Sequence, residues 1–170
     1  ALEGVSGTAA GGQLEERMDY TTEVNAKMEQ AKAMVESGSL REALALLAAL
    51  EKRCRMGNDT PNLVRVCEAS VQFCKDCNDT EALLATLKTL STKRAQKTKA
   101  VKAIVTKAIP WVLEEDSFKP LPVASGQEEA RENFVVTLRN ITDGKIFLEA
   151  ERAKLTRALA FLKEENGDTA

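Results

Sequence analysis

Apolar residues recur along much of the chain at spacings of three and four, the signature of helices that each bury one face. In MEQAKAMVESGSLREALALLAALEKR, Met28, Ala31 and Val35 mark one such face, Leu40, Leu44, Leu47 and Leu50 mark a second, and Gly38 lies between them. Glycine suits the left-handed residue that closes a helix, and Ser39 followed by Glu42 has the form of a capping box. The pattern predicts a helical hairpin whose second arm runs to about Met56.

A third helix is predicted from Thr60 as N-cap and Pro61 as first helical residue, a position where the missing N–H of proline is no loss. Leu63, Val66, Cys67, Ser70, Cys74 and Cys77 then share one side, and Asn78 with Glu81 offers a cap for a fourth helix carrying Leu84, Leu87 and Leu90. The fifth lies in KTKAVKAIVTKAIPWVLEE, with Val101, Ile104, Val105, Ala108 and Val112 on its apolar side and Pro110 kinking or dividing it. Residues 116–126, DSFKPLPVASG, hold two prolines and a glycine and read as a loop.

Ser125 with Glu128 has the capping form again, ahead of a sixth helix lined by Ala130, Phe134, Leu138 and Ile141. From Lys145 to Asn166 there is no proline or glycine, enough for about 33 Å of unbroken helix. Its broad apolar arc joins Leu148, Leu155, Leu159 and Leu162 to Phe147, Ala150, Ala158 and Phe161, with Glu149/Arg152 and Glu151/Lys154 as i, i+3 ion pairs on the rest. Gly167 is expected to stop this helix, and Asp168 to cap an eighth that continues past Ala170.

A shift of 40 residues places Gly38 on Asn78, Leu44 on Leu84, Ala45 on Ala85, Leu47 on Leu87 and Leu50 on Leu90. Two helices per unit at that period indicate stacked hairpins, each covering the apolar face its neighbour leaves open. The expected fold class is therefore all-α: a right-handed α-solenoid of antiparallel helical hairpins, TPR/HEAT-like, with about seven helices.

Composition supports this. Hydrophobic residues are 44% of the 170, but aromatics only 4%, so Leu, Ala, Ile and Val do the packing. A formal charge of −2 gives no global field toward nucleic acid or an anionic membrane. No apolar run approaches the roughly 20 residues that span a bilayer. The opening ALEGVSGTAAGGQ lacks the basic flank and apolar block of a signal peptide, which points to an intracellular protein. Residues 1–13 are expected to be a flexible tail and 14–170 a helical-repeat domain.

Histidine is absent, which removes the usual acid–base group near neutral pH. Cys74 and Cys77 form a CxxC with Cys67 and Cys54 upstream, the ingredients of a redox pair or a zinc site. No strand–helix–strand pattern surrounds them, and their helical spacing makes core or turn residues the better reading. Glu114, Glu115 and Asp116, like Glu164 and Glu165, read as solvated helix ends, and no glycine loop has the form of a phosphate cradle. No catalytic, cofactor or metal residues are therefore assigned. The most polarised stretch is Ser91–Leu113, with Lys93, Arg94, Lys97, Lys99, Lys102 and Lys107 and no acid. It is either a solvated face or a site for an acidic protein surface. Nucleic acid is the weakest option, because no aromatic side chain for base stacking interleaves with the charges before Trp111.

DGKIFLEAERAKLTRALAFLKEENGD, residues 143–168, resembles the N-terminal half of the non-ATPase regulatory subunit 12 family, PCI-domain subunits of the proteasome regulatory lid. Two more blocks, beginning at MDYTTEVNAKMEQ and LSTKRAQKTKAVK, extend the resemblance over most of residues 18–168. It implies a non-catalytic scaffold without cofactor or small-molecule substrate, acting in ubiquitin-dependent degradation in cytoplasm and nucleus. Its helical arm would precede a PCI module and contact other lid subunits, the ATPase ring and the core particle, with no membrane partner. The alternatives are a helical-repeat subunit of another PCI complex, the signalosome or a translation initiation factor, an RNA-binding adaptor using the fifth helix, or a CxxC oxidoreductase.

Overall fold

A computed structural model describes residues 16–167. The expected tail (1–13) and the Asp168 cap of an eighth helix lie outside the described residues. Among the described residues seven α-helices form: α1 (Thr21–Glu36), α2 (Leu40–Met56), α3 (Thr60–Asp76), α4 (Thr80–Ser91), α5 (Thr98–Ala108), α6 (Glu128–Thr142) and α7 (Glu149–Glu165). Each of α1 to α4 packs on the next, and α4 also meets α5. One step further along the chain α1 meets α3, α3 meets α5, and α4 meets α6, which in turn carries α7. Contact with the neighbour and the next-but-one, without long returns, is the arrangement of a helical repeat stack.

The turns explain the regularity. Gly38, Asn58 and Asn78 occur 20 residues apart, and all three take positive φ, at 87°, 58° and 53°. In each turn the next N–H reaches back five residues: Ser39 to the Met34 carbonyl (2.8 Å), Asp59 to Cys54 (2.9 Å) and Asp79 to Cys74 (3.1 Å). These are Schellman ends, in which a left-handed residue lets the chain satisfy the last carbonyls of one helix while starting the next.

The caps differ from the sequence reading. Asp59, not Thr60, is the N-cap of α3 and accepts from the Asn62 N–H, while Asp79, not Asn78, caps α4 and accepts from the Ala82 N–H. The repeated Asn-Asp-Thr at 58–60 and 78–80 is the signal: Asn closes one helix in the left-handed region and Asp opens the next. Ser39 is the N-cap of α2 but its hydroxyl makes no cap bond. At α6 the N-cap is Gln127 rather than Ser125, and Glu128 turns back to accept from the Gly126 N–H at 2.8 Å.

Two further expectations are corrected near the end of the chain. The run from Lys145 is not one α-helix, since Ile146–Leu148 is a 3-10 turn and α7 begins at Glu149. Among the described residues the pairs Glu149/Arg152 and Glu151/Lys154 are not made. Arg152 pairs with Asp143 at 3.4 Å, and the Lys154 ammonium sits 4.5 Å from the centre of the Phe118 ring. Pro110 does divide its segment: α5 stops at Ala108 and a 3-10 turn follows over Ile109–Trp111. The loop after it is pinned by Glu114 N–H to the Lys119 carbonyl and Leu121 N–H to Val112, both 2.8 Å, around an isolated bridge between Leu113 and Pro120.

The core runs through the whole stack. Leu47, Leu63, Val66, Leu87, Val105, Val135, Leu138, Leu148 and Leu155 are wholly inaccessible, as are Cys54, Cys67 and Cys74. Leu40, Leu44 and Leu159 are half-buried, Ala130 and Ala150 are exposed, and Phe161 is 38% exposed, so the arcs of α6 and α7 are narrower than the sequence reading makes them. Before α1 the chain is tied down by Met18 N–H to the Gly57 carbonyl (2.9 Å) and Tyr20 N–H to Asp59 Oδ2 (2.7 Å). A Cβ at Gly57 would lie 2.5 Å from the Tyr20 ring, so this turn needs glycine for close approach rather than for its φ. The Tyr20 ring in turn lies beneath the Arg53 guanidinium, 4.6 Å from its centre.

Candidate functional site

The basic strip spans two structural settings. Lys93 and Arg94 lie in the turn after α4, and Lys97 is the N-cap residue of α5, so only Lys99, Lys102 and Lys107 belong to the helix. At ~100° per residue, these three fall within an arc of about 140°. Lys99 and Lys102 are exposed and Lys107 half-buried. With Glu68 of α3, Ala103 and Thr106 they line an open depression of about 440 Å³. Lys97 is already engaged, its Nζ donating to Asn58 Oδ1 at 2.7 Å. It and Lys99 also edge a larger open cleft of about 850 Å³ at the Asn58–Asn62 turn.

Among the described residues none of the six has a carboxylate within ion-pair distance. Among the described residues no carboxylate therefore neutralises their charge, with Glu68 the one acid lining the depression. Such a field reaches roughly one Debye length, about 8 Å at physiological salt, and speeds encounter with an acidic surface.

What fixes the strip in place is a buried polar network that the sequence pattern does not reveal. Glu51 (1% exposed) and Arg55 (6%) pair across one turn of α2, Arg55 Nε to Glu51 Oε2 at 2.9 Å. Gln96 Nε2 donates to Glu51 Oε2 (3.0 Å) and to the Leu90 carbonyl (2.8 Å), and Arg55 Nη1 donates to the Arg94 carbonyl (2.8 Å). The Gln96 amide oxygen accepts from Lys97 N–H at 3.0 Å. Thus α2 holds the turn that carries Lys93, Arg94 and Lys97. An i, i+4 Glu/Arg pair looks the same in sequence whether it is solvated or buried; Gln96, a neutral residue amid cations, is the only local hint.

The cysteines are placed by packing. Cys54, Cys67 and Cys74 are buried and free, whereas Cys77, predicted on the same side, is exposed at the end of α3. Among the described residues no group of three or more metal-ligating side chains converges. Burial pushes the Cys54 and Cys67 thiols up to about 12, and it also raises Cys74, whose Sγ lies 3.6 Å from Thr86 Oγ1. These thiols stay protonated in the fold, while an unfolded thiol ionises near 9. The stability linked to Cys54 and Cys67 is complete below pH 9 and is lost as pH rises from 9 toward 12. Iodoacetamide at neutral pH should modify one thiol of the native protein quickly. Cys77→Ser should abolish that fast phase, and fast modification of a second thiol would contradict the packing.

Comparison with known proteins bears on what the stack belongs to. Residues 42–170 match the family described as PSMD12/CSN4, N-terminal. The chain belongs to this family. The chain is also similar to the 26S proteasome non-ATPase regulatory subunit 12 of Dictyostelium discoideum, 30% identical over 137 residues, 81% of this chain and 28% of the relative. The homolog A of that subunit in Arabidopsis thaliana is 31% identical over 137 residues, 81% of this chain and 29% of its own. The Schizosaccharomyces pombe 26S proteasome regulatory subunit rpn501 is 61% identical over 36 residues, 21% of this chain and 8% of its own. The chain thus spans under a third of the length of these relatives.

Proposed function

We propose that this chain is the N-terminal helical-repeat arm of a subunit of the proteasome regulatory lid, a non-catalytic scaffold in ubiquitin-dependent degradation. The observation that carries the reading is the alignment of four-fifths of the chain with proteins named as non-ATPase regulatory subunit 12 in a slime mould and a plant. The fold supports it, because the buried Glu51–Arg55–Gln96 network is structural, tying α2 to the turn before α5, and the lysines of α5 face an open depression. In this reading the helical-repeat arm precedes a PCI module. Other lid subunits are the partners, with the ATPase ring and core particle as further contacts, in cytoplasm and nucleus.

The partner face of this arm is the α5 depression, with Lys99, Lys102 and Lys107 receiving an acidic protein surface; Lys93, Arg94 and Lys97 supply the field at its edge. Tagged full-length protein should recover lid subunits on affinity purification. Lys99→Glu with Lys102→Glu should reduce that recovery severalfold at unchanged melting temperature, because both side chains are exposed and neither forms an ion pair among the described residues. Recovery of a different PCI complex by the unaltered protein would overturn the assignment, and undiminished recovery by the variant would remove the lysines from the interface.

A further inference from the structure

Past the C-terminal end of α5, the loop after Trp111 leaves a groove of about 310 Å³ against α6 and the start of α4. Trp111, Leu121, Pro122 and Phe134 wall it, and Lys75, near the end of α3, also lines it. Set into the wall is Arg131, only 8% exposed. A guanidinium has five N–H donors and needs acceptors for them when water is excluded. Here Nη1 donates to the Leu121 carbonyl at 3.0 Å, Nη2 reaches Glu165 Oε1 at a long 3.4 Å, and Nε is buried with no acceptor. Glu165 is itself 48% exposed, a weak counter-charge for a buried cation. No acid lines the groove, while two cations do.

At the rim Val123 is 39% exposed, and its backbone N–H and C=O bond to no described residue. Apolar walls, an under-served guanidinium and the open backbone groups of Val123 together describe one kind of occupant. We infer that this groove docks an extended segment of a partner protein in which a carboxylate is flanked by large apolar side chains. The apolar groups pack on Trp111 and Phe134, the carboxylate takes the place of Glu165 on Arg131 with Lys75 beside it, and the segment's backbone pairs with Val123. A nucleic-acid strand is a poor fit, since two cations in an apolar wall give a phosphate backbone little to follow. The inference goes beyond the lid assignment and stands without it.

Trp111 is the only tryptophan in the chain, so its emission reports the groove directly. The probes are acetyl-Leu-Asp-Leu-Leu-amide and the same peptide with asparagine for aspartate, titrated into the 170-residue chain. The aspartate peptide should give a saturable emission change and bind about tenfold tighter than the asparagine peptide, as expected for one charge-assisted hydrogen bond. Arg131 variants risk loosening the loop, so the charge test uses exposed or rim positions. Lys75→Glu should weaken the aspartate peptide severalfold and leave the asparagine peptide unchanged, and Glu165→Gln should tighten the aspartate peptide. Absence of a saturable change up to millimolar peptide, equal affinity for the two peptides, or indifference of the aspartate peptide to Lys75→Glu would overturn the proposal. So would a Trp111 shift that grows with protein concentration alone, which would make a second copy the occupant.

Discussion

Arg55→Met is expected to lower the unfolding free energy by about 3–5 kcal/mol, a large share of the 5–15 kcal/mol typical of a domain. Glu51 is 1% exposed, and with Arg55 gone its carboxylate keeps only the Gln96 amide at 3.0 Å. Desolvating a carboxylate costs several kcal/mol, which one amide N–H does not offset, and the Arg94 carbonyl loses its donor at the same time. The double variant Glu51→Leu/Arg55→Met removes both charges, and should recover more than half of that loss, because apolar replacement of a buried pair is often close to neutral. Urea denaturation followed by circular dichroism measures both. A single-variant cost under about 1 kcal/mol would mean that water reaches the pair, as it does for surface ion pairs.

Leu47→Ala should cost about 2–5 kcal/mol, whereas Leu44→Ala, one turn earlier on the same helix, should cost at most about half as much. Leu47 is wholly inaccessible in α2, between α1 and α3, and truncation there leaves a void whose lining is held by two helices. Leu44 is half-buried, so part of its side chain already meets water. Equal losses at the two positions would show that α2 buries a different stripe. The contrast matters because the leucine spacing alone places both residues on the packed face.

The helices and the core leucines were legible in the sequence because a helix that must bury one face can do so only with a period near 3.6. Leu63, Val66, Ile104, Leu138 and Leu155 all lie where that period puts them. The exact helix starts were less legible. Thr60-Pro61 and Asn78 satisfy general capping preferences, but Asp59 and Asp79 win because each follows an asparagine that has taken the left-handed closing position. Once the closing residue is known, the next one must be the cap.

The sites were harder to read for a different reason. Six basic residues in one run give no indication that Lys97 would be drawn onto Asn58 or that the Arg94 carbonyl would be tied to Arg55, since both partners lie 39 residues away in the chain. Cys77 shares its helical stripe with Cys67 and Cys74 yet emerges at the end of α3, where the stripe runs out of neighbours to pack on. Arg131 and Trp111 come together only because the loop between them folds back through the Leu113–Pro120 bridge, and neither carries a local signal of that meeting.

The proposed reading makes one claim about the cell: that this arm works inside the 26S proteasome as structural support. Glycerol-gradient sedimentation of the tagged full-length protein from native extract, with peptidase activity assayed across the fractions, tests it most directly. The protein should travel with the large peptidase-active particle and leave those fractions when the regulatory lid is dissociated. If it sediments instead with a smaller complex that has no peptidase activity, or alone, the claim is contradicted.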